Sequence, residues 1–352
     1  MDQKKRDEFS ERIFGEVNAA MSVLTLYIGE RLGLFRAIKA MGSVTPKSLA
    51  HQMHGNERYL REWLKCMAVN GYLEHDPGPD AYRLPPEHAS VFLDRDTKTY
   101  AIPHVRLIPS FASVLPELVQ GFQDGRGVPF DAYGPDLTEA IAAGNRAFLV
   151  NDLMSKWIPA MPDIQSRLAA GGRIADVGSG KGWLSILVAQ GFPEVRIDAI
   201  DPDAASVQEA RANAAHAGVG ERIVFHRSSL EDAQLTGPYD LITAVECVHD
   251  MTHPVRALRR MHQLVAPEGA VLIVDEAGGE TVEENATFVG RLLYNFSVLH
   301  CLPQAMGEAD TAATGAVMAA STLRSYAREA GFRQVDILPV QNPLWRFYRL
   351  NP

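Results

Sequence analysis

The sequence is poor in cysteine, has no long apolar run and carries no excess of positive charge, and each lack excludes a class of protein. Cys66, Cys247 and Cys301 are the only cysteines, far apart and without a CxxC. That pattern speaks against a disulfide framework or a zinc cluster and fits a reducing compartment. No apolar stretch approaches the ~20 residues that cross a bilayer. The N-terminal MDQKKRDEFSERIF has charges where a secretion signal has its apolar core, so a cytoplasmic protein without a membrane partner is expected. Lys and Arg number 34 against 43 Asp and Glu, a net charge of −9, so a polyphosphate would be repelled unless a local basic patch held it. What is present is a globular composition, 46% hydrophobic and 22% charged, in 352 residues. At ~150 residues per domain, that length predicts two domains or one large one.

Residues 9–40 place Ile13, Phe14, Val17, Met21, Leu24, Ile28 and Leu32 at helical spacing, with Leu34 and Phe35 following a break at Gly33. Thr45-Pro46 reads as the cap and first turn of another helix. A further helix runs from Glu57 to a stop at Gly71, and Tyr72–Glu74 with Ala81–Leu84 flank a Pro/Gly/Asp turn as a hairpin. This order is a winged-helix pattern over 1–94. Its second helix offsets Arg58, Arg61 and Lys65 with Glu57 and Glu62, so nucleic acid is not expected as a partner, and the broad apolar face points to a homodimer. Residues 95–164, punctuated by Pro and Gly, read as a helical connector and pocket roof rather than core. From 165 to 352, short apolar runs alternate with helical patterns, which predicts a doubly wound α/β fold. Its strands are expected at Arg173–Ser179, Val195–Asp201, Arg222–Ser229, Tyr239–Glu246, Ala270–Glu276, Gln334–Val340 and Trp345–Leu350.

The first of these strands runs into Asp176-Val-Gly178-Ser179-Gly180-Lys-Gly182-Trp183, a loop whose missing Cβ atoms let backbone approach a nucleotide-like ligand at a helix N-terminus. A Walker loop is absent, because Lys181 precedes Gly182 rather than Ser or Thr. The dinucleotide fingerprint is incomplete, since Trp183 occupies the place of its last glycine. Asp201, which lies 21 residues beyond Gly180 at the second strand's tip and before Pro202, suits a ribose diol. That spacing fits the adenosine of either adenosylmethionine or NAD.

The stretch 165–352 resembles the class I S-adenosylmethionine-dependent methyltransferases. Asp176–Gly182 matches their first motif, Asp201 the ribose-binding acid, Pro238–Glu246 the fourth strand and Leu264–Val274 the turn entering the fifth. The resemblance implies S-adenosyl-L-methionine as cofactor and a sheet order of 3-2-1-4-5-7-6. It also assigns donor contacts to Asp176, Gly178, Ser179, Gly180, Gly182, Asp201 and Pro202. Ser229 and Leu230 stand at the adenine, where Ser228-Ser229 replaces the usual acid. With residues 1–94 included, the chain is similar to bacterial small-molecule enzymes laid out like plant-type O-methyltransferases, in an actinobacterial, mycobacterial-type branch. That likeness rests on Tyr27–Leu34, Ser297–Pro303 and Trp345–Leu350. In that group the N-terminal part dimerises and closes the substrate pocket.

Methyl transfer is an in-line displacement in which positioning can suffice and a base helps when the acceptor is a weakly acidic hydroxyl. His249, after the fourth strand in Glu246-Cys-Val-His249-Asp250, is the first candidate base. Glu246 is expected at the donor's methionyl end or on a substrate cation, and His300, beside Cys301, at the lid. A structural, capping role for His249 stands beside the catalytic one. The acids Glu246, Asp250, Asp275 and Glu276 could in principle hold Mg²⁺, but the fused N-terminal domain resembles the metal-free group, so no metal is expected. The expected reaction is methylation of a small organic acceptor at oxygen, with sulfur, carbon and nitrogen open. The alternatives are a winged-helix DNA regulator that senses adenosylmethionine and a bound sulfonium used for another chemistry.

Overall fold

The computed structural model describes residues 1–307 and 310–352. These fall into two compact units, 1–113 with 134–147 and 114–133 with 148–352.

The first unit opens with a long helix, α1 (Gln3–Arg31), capped by Asp2, and continues through α2 (Leu34–Met41), α3 (Pro46–Met53) and α4 (Glu57–Val69). Thr45 caps α3 reciprocally: its hydroxyl accepts from Ser48 N at 3.2 Å and its own N–H donates to Ser48 Oγ at 2.9 Å. The wing is β1 (Glu74–Asp76) paired antiparallel with β2 (Ala81–Arg83), followed by α5 (Pro86–Leu93) and α6 (Leu107–Ser113). Leu34, Phe35, Ile38, Leu49, Leu64, Met67 and Tyr82 form the core of this unit. Most of α1 lies outside it: only Leu26 and Gly29 of that helix are buried, while Phe14 is 73% and Met21 55% exposed. Both arginines of α4 are committed, Arg58 to Glu62 and Arg61 to Glu57 at 2.5 Å and to Asp80 at 3.5 Å. A helix with both arginines paired to acids has little to offer a phosphate backbone.

Next come α7 (Leu115–Asp124), α8 (Pro135–Asp152) and α9 (Pro162–Ala169). The expectation that 95–164 is connector rather than core is corrected here. Leu149, Leu153, Trp157, Met161 and Ile164 are buried in the same cluster as the sheet. Their apolar spacing was hidden by the flanking Pro and Gly, which end helices without keeping them out of the interior.

The second unit alternates β3 (Arg173–Val177), α10 (Trp183–Gly191), β4 (Arg196–Asp201), α11 (Ala204–His216), β5 (Ile223–Arg227), β6 (Tyr239–Val245), α12 (Pro254–Leu264) and β7 (Val265–Glu276). It ends with α13 (Phe288–Phe296), a π turn over Ser297–Cys301, α14 (Leu302–Ala305), α15 (Ala320–Ala330), β8 (Gln334–Ile337) and β9 (Trp345–Asn351). The seven strands lie in the order β5-β4-β3-β6-β7-β9-β8, parallel except where β9 runs antiparallel to both β7 and β8. Counted along this sheet, that is the expected 3-2-1-4-5-7-6. Strand alternation sends Leu272 and Val274 to one hydrophobic cluster and Val271 and Ile273 to the other, so both faces are covered by helices. The order reverses between β3 and β6, and ligands of such sheets bind at the carboxyl edge beside that reversal.

Candidate active site

The loop after β3 carries Gly178, Gly180 and Gly182, all at positive φ. A Cβ on Gly178 would stand 2.9 Å from both Cβ and Sγ of Cys247, so the protein itself forbids a side chain there. At Gly180 the same construction meets nothing within 4 Å. The loop is held from β4: Gly178 N and Ser179 N both donate to Ile200 O, and Gly180 N donates to Asp201 Oδ2 at 2.8 Å. The other oxygen of Asp201 accepts from Asp203 N at 2.9 Å, and Asp203 caps α11 through Ser206 N. Each Asp201 oxygen keeps a lone pair, and burial raises this carboxyl above its ordinary range. Ser179 Oγ is buried without a hydrogen-bond partner. An open cradle at Gly180, an orphaned hydroxyl and an acid with spare acceptor capacity fit the polar end and ribose of an adenosyl ligand.

Asp176 lies deeper. Its carboxylate accepts from Ser185 Oγ at 2.7 Å and Thr243 Oγ1 at 2.8 Å, which ties β3 to α10 and β6. Burial nevertheless pushes it up to about 6. Pro202 is exposed at the β4 edge. After β5, Leu230 is buried, and the Ser229 hydroxyl donates to Asp232 Oδ2 at 2.9 Å, so Asp232 brings an acid to the edge where Ser228-Ser229 lacks one.

On the other side of the reversal, the tips of β6 and β7 meet. Glu246, the first residue after β6, is in a left-handed conformation (φ 52°), pinned by its N–H to Val274 O at 2.8 Å. A non-glycine residue rarely holds that conformation, and such strain gathers at functional sites. His249 is 2% exposed. Its Nδ1 lies 2.6 Å from Asp275 Oδ1 and 3.0 Å from Glu276 Oε2, and its Nε2 lies 3.2 Å from Asp250 Oδ1. Burial opposes a charge on this imidazole, but Asp250, Asp275 and Glu276 outweigh it and hold its pKa well above the ordinary value. Burial pushes Glu246 up to about 7 and Glu276 well above the carboxylate range. Asp250 and Asp275, though buried, are held low by His249.

His300 and Cys301 are both buried, and Nδ1 of His300 is 3.6 Å from Sγ of Cys301. Burial lowers the His300 pKa, against the pull of Asp250. Tyr133, whose hydroxyl donates to Leu299 O at 2.8 Å, meets the His300 ring edge-on at 4.9 Å, and Phe130 does so at 5.8 Å. Neither aromatic was expected at the site. Their only signal was the doublet Phe130-Asp-Ala-Tyr133 in a Pro/Gly-rich stretch. Among the described residues, two triads could hold a cation, His249 with Asp275 and Glu276 and His249 with Asp250 and Cys301.

Comparison with known proteins agrees with this geometry. The Rv2258c-like winged HTH domain family matches residues 19–95, and the Methyltransferase domain family matches residues 150–337, more than half of the chain. A ubiquinone biosynthesis O-methyltransferase from Pseudomonas aeruginosa is 26% identical over 205 residues, covering 57% of this chain and 80% of that protein. A tRNA1(Val) (adenine(37)-N6)-methyltransferase from Aeromonas hydrophila is 33% identical over 120 residues, 29% of this chain, so the chain spans 50% of that relative's length. Among solved structures, an O-methyltransferase-like protein from Nostoc punctiforme shares the fold at 21% identity, with a TM-score of 0.72 over 97% of this chain and 98% of its own. Human N-acetylserotonin methyltransferase, solved in complex with SAM, shares it at 18% identity and a TM-score of 0.70, over 100% and 98%. No helix among the described residues is long and apolar enough to cross a membrane. A domain match across more than half of its residues, on a fold that these enzymes share from end to end, makes this chain a member of the S-adenosylmethionine-dependent methyltransferases that carry a winged-helix domain ahead of the methyltransferase domain.

Proposed function

We propose that this enzyme methylates a small organic acceptor at oxygen, with His249 taking the acceptor's proton. The carrying observation is the His249–Asp275 contact of 2.6 Å at the carboxyl edge of β6 and β7, across the sheet's reversal from the glycine loop. Asp275 fixes the proton on Nδ1 and leaves Nε2 as the reactive nitrogen, the arrangement by which a carboxylate orients a basic imidazole. Asp201 would hold the ribose, the backbone of Gly178–Gly182 with Ser179 Oγ the methionyl end, and Ser229 with Leu230 the adenine edge. When bound, S-adenosylmethionine supplies an electrophilic methyl group on a sulfonium. Glu246, strained at the strand tip and shared between Glu276 and the site, orients the acceptor, while His300 with Tyr133 and Phe130 walls the pocket and excludes water. Oxygen is favoured because a weakly acidic hydroxyl is the acceptor that needs a held imidazole, whereas a thiol ionises without one.

The exposed face of α1 supports a homodimer, since Ile13, Phe14, Val17, Met21, Leu24 and Ile28 are all left in water by a single chain. The enzyme would act in the cytoplasm, where its three free cysteines stay reduced. Incubation with S-adenosylmethionine and a cell metabolite extract, followed by mass spectrometry, should yield a product heavier by one CH₂ together with the demethylated donor. Donor consumption with methyl recovered only on nucleic acid, or none at all, would overturn the assignment.

A further inference from the structure

The acceptor side holds more than an acid–base pair. His249 offers two nitrogens to two sets of ligands. Nδ1 gives its hydrogen to Asp275 and Nε2 faces Asp250 at 3.2 Å, while a ring nitrogen of His249, a carboxylate oxygen of Asp250 and Sγ of Cys301 lie within 4.8 Å of one another. Atoms ~2.0–2.3 Å from one tetrahedral ion stand ~3.3–3.8 Å apart, so a small rotamer adjustment converts this triad into a coordination shell. Two further features point to a missing ligand. Asp250 Oδ1 is buried 3.2 Å from Nε2, a carboxylate already turned on the ring, and Nε2 of the buried His300, the neighbour of Cys301, has no partner. A metal-binding histidine almost always donates its second ring hydrogen to a carboxylate, and Asp275 already occupies that place.

We propose that a thiophilic divalent cation of the Zn²⁺ class binds at His249 Nε2, a carboxylate oxygen of Asp250 and Sγ of Cys301. One nitrogen, one oxygen and one sulfur select such an ion over Mg²⁺ or Ca²⁺, which take oxygen ligands. The second triad, on Nδ1, has no sulfur, and its nitrogen is committed to Asp275. Binding releases the proton of the Cys301 thiol and any proton on Nε2 to solvent, and the ion replaces them as the positive charge among the carboxylates. Cys301 joins the site only through folding, which is why scattered cysteines gave no sign of it in the sequence. On the reading of His249 as the base, an occupied Nε2 cannot accept a proton, so the cation inhibits methyl transfer.

The test uses the full-length, chelator-treated enzyme titrated with Co²⁺. A thiolate-to-cobalt charge-transfer band is expected, saturating at a single ion per chain, displaced by Zn²⁺ and not by Mg²⁺. It should be lost in Cys301→Ser and in Cys301→Ala, each checked by thermal melting for a native fold. Asp275→Asn should weaken Co²⁺ binding by ~10–100-fold, the usual effect of losing an outer carboxylate. No band in the wild type, or a band that survives both Cys301 variants and so arises from Cys66 or Cys247, would overturn the site. Turnover supplies the separate arm: stoichiometric Zn²⁺ should suppress it in the wild type and spare Cys301→Ser. Cobalt bound with the expected band while Zn²⁺ leaves turnover untouched would keep the site and remove His249 as the base.

Discussion

The two sides of the sheet reversal handle buried polarity in opposite ways. Around the glycine loop most charges are met by protein: Asp176 by two hydroxyls, Asp201 by two backbone N–H groups, Asp203 by the helix it caps. Across the reversal, Asp250, Asp275 and Glu276 crowd one imidazole, and Asp275 Oδ2 and His300 Nε2 are left without hydrogen-bond partners. Unsatisfied buried polar groups are costly, and a fold keeps them where a ligand will complete them. On the proposed assignment of the two sides, the donor side is thus largely preformed and the acceptor side is built to be finished by what binds.

The comparison breaks most visibly at His249. His249→Gln should preserve donor affinity by calorimetry and cut turnover by ~10²–10⁴-fold, the range of a general base. The three carboxylates raise the imidazole's pKa, so the neutral, active form appears only as pH rises through a value above the ordinary 6.5. The wild-type rate should therefore climb on the alkaline side of that value, and the variant should lose that limb. A variant with wild-type turnover would return His249 to a structural role.

On the donor side, Asp201→Ala should weaken donor binding by ~2–3 kcal/mol, since a charge-assisted clamp on two hydroxyls is lost. Unchanged affinity in calorimetry would move the nucleoside elsewhere.

The glycines separate protein from ligand as the reason for an absent side chain. Gly178→Ala drives a Cβ into Cys247 and also takes on the strain of a left-handed non-glycine residue, so it should cost ~2–5 kcal/mol of stability. Gly180→Ala meets no protein atom, so its stability loss should stay near the ~1–2 kcal/mol of a left-handed non-glycine residue while donor binding fails. Thermal melts beside calorimetry distinguish the two, and full donor affinity in Gly180→Ala would remove the loop from the site.

Much of this fold was legible because its signals are local. The apolar runs of β3, β4 and β6, the Thr45 cap and the glycine loop are each written in a few consecutive residues, and the sheet order followed from the resemblance that the strands and the loop carry. β7 begins at Val265, ahead of the expected Ala270, because Ala-Pro-Glu-Gly interrupts its apolar pattern without interrupting the strand. The acceptor side was half legible. His249 and the pair Asp275-Glu276 stood out singly, but their meeting depends on β6 and β7 being neighbours in the right register, with Val245 opposite Val274. Tyr133 and Cys301 came to the site through long-range packing that no spacing records.

The smallest expected effect tests whether the donor side is as fully satisfied as it looks. Ser185→Ala removes one of the two hydroxyls on Asp176 and should cost about 1–2 kcal/mol at pH 7, where the carboxylate is ionised. Burial raises the folded-state value to about 6 from an ordinary 3.8, so the folded state binds more protons than the unfolded state between those two values. For this group, stability therefore rises as pH falls from 7 through about 6, and below that the protonated acid depends less on Ser185. The difference between wild type and Ser185→Ala in urea melts should accordingly shrink from pH 7 to pH 5. A difference that stayed constant would mean that Ser185 acts through packing of α10 against β3 and not through the charge on Asp176.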